Sequence, residues 1–231
     1  MAIRVGIDTG GTFTDLVGVD LDTNQITAMK RPSTPRNPEQ AVFDSLAGSG
    51  IDIDDIGFLI LGSTIGINIL HQRTGARVIY LTTKGFEDVP FIQRINRRHH
   101  YDLDWVKPAP LVARRDCIGI NERITKDEKV LVPLKDKELS RIREIVSERI
   151  VESRGPTAIA VNLLFAYANP DHELMIGEFL GREFPEVPVS LSHRVAPVWR
   201  EYERGTTTLA DAYIKPQVTS FAQNLDTGFQ E

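Results

Sequence analysis

Cysteine is nearly absent from this 231-residue chain; Cys117 is the only one. A disulfide framework within the chain and a cysteine-based zinc site are therefore excluded. The lone thiol reads as a small buried or half-buried hydrophobe rather than a nucleophile. Long apolar runs are also missing, and no stretch approaches the roughly 20 residues that span a bilayer. Positive charge is not in excess. The 27 Lys and Arg against 32 Asp and Glu leave a net charge of −5, which argues against nucleic acid as a partner. No internal repeat or low-complexity tract is present. Strand-like sequence follows the first methionine at once, so no signal peptide is expected and the cytoplasm is the default location. What is there has ordinary globular composition, with 41% hydrophobic and 26% charged residues. The length suits one large or two small domains with a real core.

The most informative segment is Gly6-Ile-Asp8-Thr9-Gly10-Gly11-Thr12-Phe13-Thr14-Asp15. An apolar strand (Ile3, Val5, Ile7) runs into an acidic residue, two glycines and a hydroxyl-rich stretch. Glycines at a tight turn let backbone N–H groups approach an anion. Hydroxyls of Thr9, Thr12 and Thr14 add hydrogen bonds to phosphate oxygens. Asp8, at the strand end, is the candidate catalytic residue: it would hold a hydrated Mg²⁺ or orient a nucleophile. After Gly11 the side chains alternate, with Phe13, Val17 and Val19 on one face and Thr12, Thr14 and Gly18 on the other. That pattern is a strand, apart from Leu16. A Walker loop or a dinucleotide fingerprint would need a helix there and different glycine spacing. The element is a strand–turn–strand that cups phosphate, or else an ordinary Gly-Gly hairpin.

Strands are expected near 3–8, 12–20 and 24–31. A helix is expected from Pro38 to about Ala47, capped by Asn37 and ended by Gly48-Ser-Gly50. Phe58–Leu61 reads as a short buried strand, and Gly62-Ser-Thr opens a helix to about Arg73 with Gly75 as its stop. Arg77–Thr82 is the next strand, so parallel pairing across this crossover is expected. Residues 90–115 look irregular, and Cys117–Thr125 and Lys129–Val132 look like short strands. A charged amphipathic helix follows Leu134, with Leu139, Ile142, Ile145, Val146 and Ile150 on one stripe. Ala158–Leu164 is a buried strand, Pro170–Phe184 a helix and Val187–Leu191 the last strand. From about Val195 the chain reads as helical. Alternating helices and strands after a hairpin imply an α/β mixed sheet.

Beyond the hairpin, Ser63 and Thr64 stand at a strand-to-helix junction, where N-capping is their ordinary role and anion binding the sharper one. Asn68 lies on the same helical face as Thr64. Arg94, Arg97 and Arg98 with His99 and His100 form a basic cluster, either a solvated loop or a carboxylate or phosphate clamp. His172 and Glu173 sit in a first helical turn, where a structural role is favoured. Glu201 and Arg204 are spaced to pair with each other.

Asp8-Thr-Gly-Gly-Thr-Phe-Thr-Asp15 resembles the first phosphate loop of the hydantoinase A/5-oxoprolinase family. Four further segments resemble that family in its order: Gly62-Ser-Thr-Ile-Gly-Ile-Asn68, Thr82-Thr-Lys-Gly-Phe-Glu-Asp88, Asn169-Pro-Asp-His-Glu173, and Glu201-Tyr-Glu-Arg204 through Thr208, Ala212-Tyr213 and Pro216. The resemblance implies a ribonuclease-H-like fold of the actin, sugar-kinase and heat-shock ATPase superfamily, here as the first lobe of a larger two-lobed protein. Residues 1–194 would be the family's N-terminal domain, and 195–231 the truncated start of the following hydantoinase A domain.

It also implies ATP and Mg²⁺ (or Mn²⁺) as cofactors, phosphate binding by Thr9, Gly10, Gly11, Thr12 and Thr14, and Mg–ATP held through Asp8. The substrate candidates are Asp15, Ser63, Thr64, Asn68, Arg94 and Arg97. The implied chemistry is phosphorylation of a small molecule's carbonyl or enol oxygen, with a B-type subunit as partner. One branch of the family opens cyclic amides; another carboxylates ketones such as acetone or acetophenone. The second phosphate loop and adenosine pocket are not visible, so the activity is expected from an assembly rather than from this segment alone. Two other classes stay open: a sugar kinase, which also begins D-x-G-G-T but in its repressor/kinase group carries a cysteine-rich zinc motif, and a non-catalytic interaction module on the same fold.

Overall fold

The computed structural model describes residues 3–34, 37–94 and 101–230. These form two compact units, Met1–Thr74 with Gln217–Glu231, and Gly75–Pro216.

In the first unit, β1 (Ile3–Thr9) buries Val5, Ile7 and Thr9 and exposes Arg4, Gly6 and Asp8, the period of two dictated by the pleat. It pairs antiparallel with β2 (Phe13–Asp20), which pairs antiparallel with β3 (Ile26–Pro32). Helix α1 (Pro38–Ser49) starts at a proline and ends at Gly50, whose φ of +73° suits a residue without Cβ. Asn37 occupies the N-cap position, yet its side chain makes no capping bond, contrary to expectation.

Strand β4 (Ile56–Ser63) runs parallel to β1, giving the order β3-β2-β1-β4. Helix α2 (Ile65–Gln72) follows, closed by Arg73 in the left-handed region (φ +57°) rather than by Gly75. The core covers one face of this sheet: Val5, Ile7 and Leu16 pack with Val42 and Leu46 of α1 and with Phe221 and Leu225 near the C-terminus. On the other face Phe58 and Ile60 are 54% and 57% exposed. The expectation of a buried strand there is corrected, because the core covers only one face of this sheet, and Phe13 and Val17 of β2 are exposed as well.

The second unit begins with β5 (Arg77–Thr83), followed by α3 (Val89–Ile92), β6 (Cys117–Ile120), and the small antiparallel pair β7 (Arg123–Ile124) and β8 (Val130–Val132). Then come α4 (Asp136–Val151), β9 (Thr157–Asn162), α5 (Asp171–Glu183), β10 (Val189–Leu191) and α6 (Ser192–Val195). The last helix, α7 (Glu201–Gln230), contains Pro216, and its residues from Gln217 belong to the first unit.

The sheet order is β10-β9-β5-β6, all parallel. Its central strands are near-continuous apolar runs, as a parallel sheet covered on both faces requires. Ile79, Leu81, Ile159 and Val161 meet Ile142 and Val146 of α4 and Ile176 and Leu180 of α5. The parallel pairing expected across α2 does not form, since β4 and β5 lie in different sheets. Cys117 is buried, and burial pushes its thiol up to about 12.

Candidate functional site

The β1–β2 turn is built by backbone first. Gly10 N donates to the Phe13 carbonyl at 2.9 Å, leaving Gly11 and Thr12 as a two-residue loop. Neither glycine has a φ in the left-handed region. Close approach constrains both instead: a Cβ on Gly10 would stand 3.0 Å from the Phe13 carbonyl oxygen, and one on Gly11 3.2 Å from Asn68 Nδ2. The N–H groups of Gly11 and Thr12 have no acceptor among the described residues. They are therefore available to an anion, as the strand–turn–strand reading supposes.

A second layer holds the turn. Ser33 Oγ donates to the Gly10 carbonyl at 2.8 Å, and Ser33 N to the Thr12 carbonyl at 2.8 Å. The single Ser33 proton is thus committed, so Thr14 Oγ1 is the donor in its 3.0 Å bond to Ser33 Oγ. Thr14 is fully buried and serves the turn from behind. Ser33 carries no motif signal in the sequence, because its partner lies across the sheet.

The two acidic residues point to the opposite, open face. Asp8 and Asp15 are direct cross-strand partners in register. Asp15 pairs with Lys30 Nζ at 2.8 Å. Asp8 is exposed, and no hydrogen bond or ion pair reaches its carboxylate among the described residues.

Helix α2 enters beside the turn. Thr64 N donates to the Thr9 carbonyl at 3.2 Å, and Ile65 N to Ser63 Oγ at 3.2 Å. Asn68 Nδ2 donates to Thr64 Oγ1 at 3.2 Å, so those two do share a face. Thr64 stands at the N-cap without a side-chain capping bond. Thr9, Gly10, Gly11, Ser63 and Asn68 line one cleft of about 520 Å³, together with residues of α1 and α7. Asp8, Thr12, Thr14 and Asp15 are not among its lining residues.

The basic cluster is elsewhere. Arg94 belongs to the second unit and engages Glu203 through both Nε, at 2.7 Å, and its terminal nitrogen. Arg97, Arg98, His99 and His100 lie outside the described residues.

Three of the five motif segments serve the second unit's interior. Glu173 is buried and accepts from Leu163 N (2.8 Å), Ser192 Oγ (2.7 Å), His193 N (3.0 Å) and His193 Nδ1 (2.7 Å). Leu134 N donates to His172 Nε2 at 3.3 Å, which leaves Nδ1 to donate to Glu122 at 2.7 Å. Thr83 Oγ1 bonds the other Glu122 oxygen. Arg204 does not pair with Glu201; it is buried, and donates to Ser192 Oγ, the Val198 carbonyl and the Leu163 carbonyl. Its desolvation lowers its affinity for the proton. Glu122 and Ser192 carried no sequence signal because their bonds join residues up to 50 positions apart.

Among the described residues, no group of three His, Cys, Asp or Glu side chains is placed to hold a metal ion, and no helix is long and apolar enough to cross a membrane.

The chain is 32% identical over 238 residues to the caprolactamase subunit alpha of Pseudomonas jessenii, covering 99% of this chain and 33% of that protein. It is 33% identical over 233 residues to the acetophenone carboxylase gamma subunit of Aromatoleum aromaticum, covering 91% of this chain and 31% of the relative. The crystal structure of the ATP-dependent caprolactamase from P. jessenii superposes with a TM-score of 0.81 at 31% identity, over 98% of this chain and 33% of that one. A nucleotide-free acetone carboxylase shares the fold, with a TM-score of 0.83 at 24% identity over 98% of this chain and 34% of its own. The chain thus spans about a third of the length of these relatives. Residues 4–184 match the hydantoinase/oxoprolinase N-terminal region, and the chain belongs to that family.

Proposed function

We propose that this chain is the ATP-phosphate-binding part of an ATP-dependent cyclic-amide hydrolase that phosphorylates its substrate's carbonyl oxygen, working with a B-type partner subunit. The observation that carries the reading is the β1–β2 turn: among the described residues the N–H groups of Gly11 and Thr12 have no acceptor, and the exposed Asp8 carboxylate near the end of β1 has no partner. Such N–H groups suit phosphate oxygens, and a free carboxylate at a strand end suits a hydrated divalent cation. The residues present therefore fit Mg²⁺ or Mn²⁺ with ATP. Thr9, Gly10, Gly11 and Thr12 would hold phosphate, Thr14 would support the turn through Ser33, and Asp8 would orient the metal or the nucleophile. Bound ATP would supply the phosphoryl group that makes an inert amide carbon electrophilic. Asp15, Ser63, Thr64 and Asn68 are the nearby candidates for substrate contact. Arg94, committed to Glu203, would need to be released to act as a clamp.

Relatives on both branches match at similar identity, so ATP-dependent ketone carboxylation is the second reading. The test is ATP turnover by the assembly of this chain with a B-type subunit, offered hydantoin, 5-oxoproline, caprolactam, or acetone or acetophenone with bicarbonate. Stimulated turnover that vanishes in Asp8→Ala supports the phosphoryl-transfer reading, and the stimulating compound selects the branch. Turnover unaffected by Asp8→Ala removes the phosphate-turn mechanism. No turnover with any compound favours a non-catalytic interaction module.

A further inference from the structure

Two residues that the phosphate turn does not use are joined at the carboxyl end of the second unit's parallel sheet. Leu163 directly follows β9, and Ser192 and His193 directly follow β10. Glu173 of α5 bonds to both strand ends. Its Oε1 accepts from Leu163 N and Ser192 Oγ, and its Oε2 from His193 N at 3.0 Å and His193 Nδ1 at 2.7 Å. Arg204 Nε can only donate, and it reaches Ser192 Oγ at 3.1 Å, so the Ser192 proton goes to Glu173. The carboxylate thus has a donor for each of its four lone-pair positions.

An ionised carboxylate can only accept, so His193 carries its proton on Nδ1 and a lone pair on Nε2. That Nε2 has no hydrogen-bond partner among the described residues. The buried side-chain atoms left without a partner belong to other residues, so His193 Nε2 reaches water. The neighbouring pair is different: His172 spends both ring nitrogens, on Leu134 N and on Glu122. The His193 side chain is 12% exposed, an opening that suits a small donor. Its place in the fold suits a ligand too. The strand order reverses between β5 and β9, and open parallel sheets meet their ligands outside the carboxyl ends near such a reversal.

We propose that His193 is a general base whose Nε2 takes a proton from a water molecule, with Glu173 as its positioning residue. One O–H bond of the water breaks as an N–H bond forms at Nε2, and the remaining hydroxide adds to the carbonyl carbon of an acyl substrate. Glu173 holds the imidazole in the tautomer that leaves Nε2 free, and its charge stabilises the imidazolium that forms. The link to amide opening rests on the proposed function; the proton acceptor itself needs neither nucleotide nor phosphate turn.

The experiment has two arms. In the first, the folded chain alone is treated with diethyl pyrocarbonate and its peptides are weighed by mass spectrometry. His193 should be carbethoxylated and His172 spared, with both modified in urea. Long-range ¹H–¹⁵N NMR should show His193 with its proton on Nδ1. An unreactive His193, or a proton on Nε2 instead, would overturn the proposal. In the second arm, the assembly with a B-type subunit turns over hydantoin, 5-oxoproline or caprolactam with ATP. His193→Asn keeps a side-chain N–H near the place of Nδ1 for Glu173 but removes Nε2. It should keep the melting temperature and KM, lower kcat about a hundredfold or more, and be rescued by added imidazoles in the order of their basicity. A structural histidine would give lost stability and no such order. Unchanged kcat, or rescue that ignores basicity, would overturn the base. Asp8→Ala run beside it keeps the two readings apart: turnover lost only in Asp8→Ala sinks the base alone, and turnover lost only in His193→Asn sinks the phosphate turn alone. No turnover by the wild type sinks the proposed function, and the first arm then decides the proton acceptor.

Discussion

Asp8 and Asp15 face each other across the β1–β2 ladder, and among the described residues only Asp15 of the two has a cation, Lys30. Like charges directly opposite in an antiparallel pair repel by a few tenths of a kcal/mol or more. Asp8 is therefore tolerated rather than required by the fold. Asp8→Asn should leave the melting temperature unchanged or slightly raised, by calorimetry, while removing ATP-dependent turnover in the assembly. A large loss of stability would mean that Asp8 is structural.

Gly11 faces Asn68. A methyl group there would stand 3.2 Å from Nδ2, so the Asn68 amide must move a few tenths of an ångström and its bond to Thr64 must stretch. Gly11→Ala should cost at most about 1–3 kcal/mol in urea unfolding. It should also weaken Mg–ATP binding, measured by calorimetric titration. Unchanged nucleotide affinity would show that the turn does not approach the ligand closely.

Glu173 accepts four hydrogen bonds, from Leu163, Ser192 and His193, with no exposure to water. Glu173→Ala leaves those donors buried without an acceptor. The second unit should lose about 3–5 kcal/mol of stability by chemical denaturation. A loss within about 0.5 kcal/mol, the range of an ordinary surface substitution, would contradict the buried network.

Cys117 is buried with its thiol pushed up to about 12 by desolvation, so the thiolate is scarce at neutral pH. Iodoacetamide at pH 8 should leave the native protein unmodified and label it fully in urea, as mass spectrometry would record. Rapid native labelling would mean that the β6 edge opens readily.

Much of the first unit was legible in order. The period-two pattern of Ile3, Val5 and Ile7 and the Pro38 and Gly50 boundaries of α1 report local rules, and each element appears where those rules put it. The pairing of Thr64 with Asn68 follows from helical spacing alone. Burial did not follow. Phe58 and Ile60 are apolar yet exposed, because a sheet's second face is covered only if another element reaches it.

The sequence by itself determined the order of the main strands and helices, the place of the glycine turn, and the family, since these depend on residues close together in the chain. Tertiary structure alone decided that β4 and β5 enter different sheets, that Ser33 supports the turn, and that Gln217 shares a cleft with Thr9. It also decided that His172, Glu173 and Arg204 are spent inside the second unit rather than at a surface site. Each of these contacts joins residues far apart in sequence. A hydrogen bond or a cleft wall between such residues is set by sheet order and helix placement, and no local pattern encodes it.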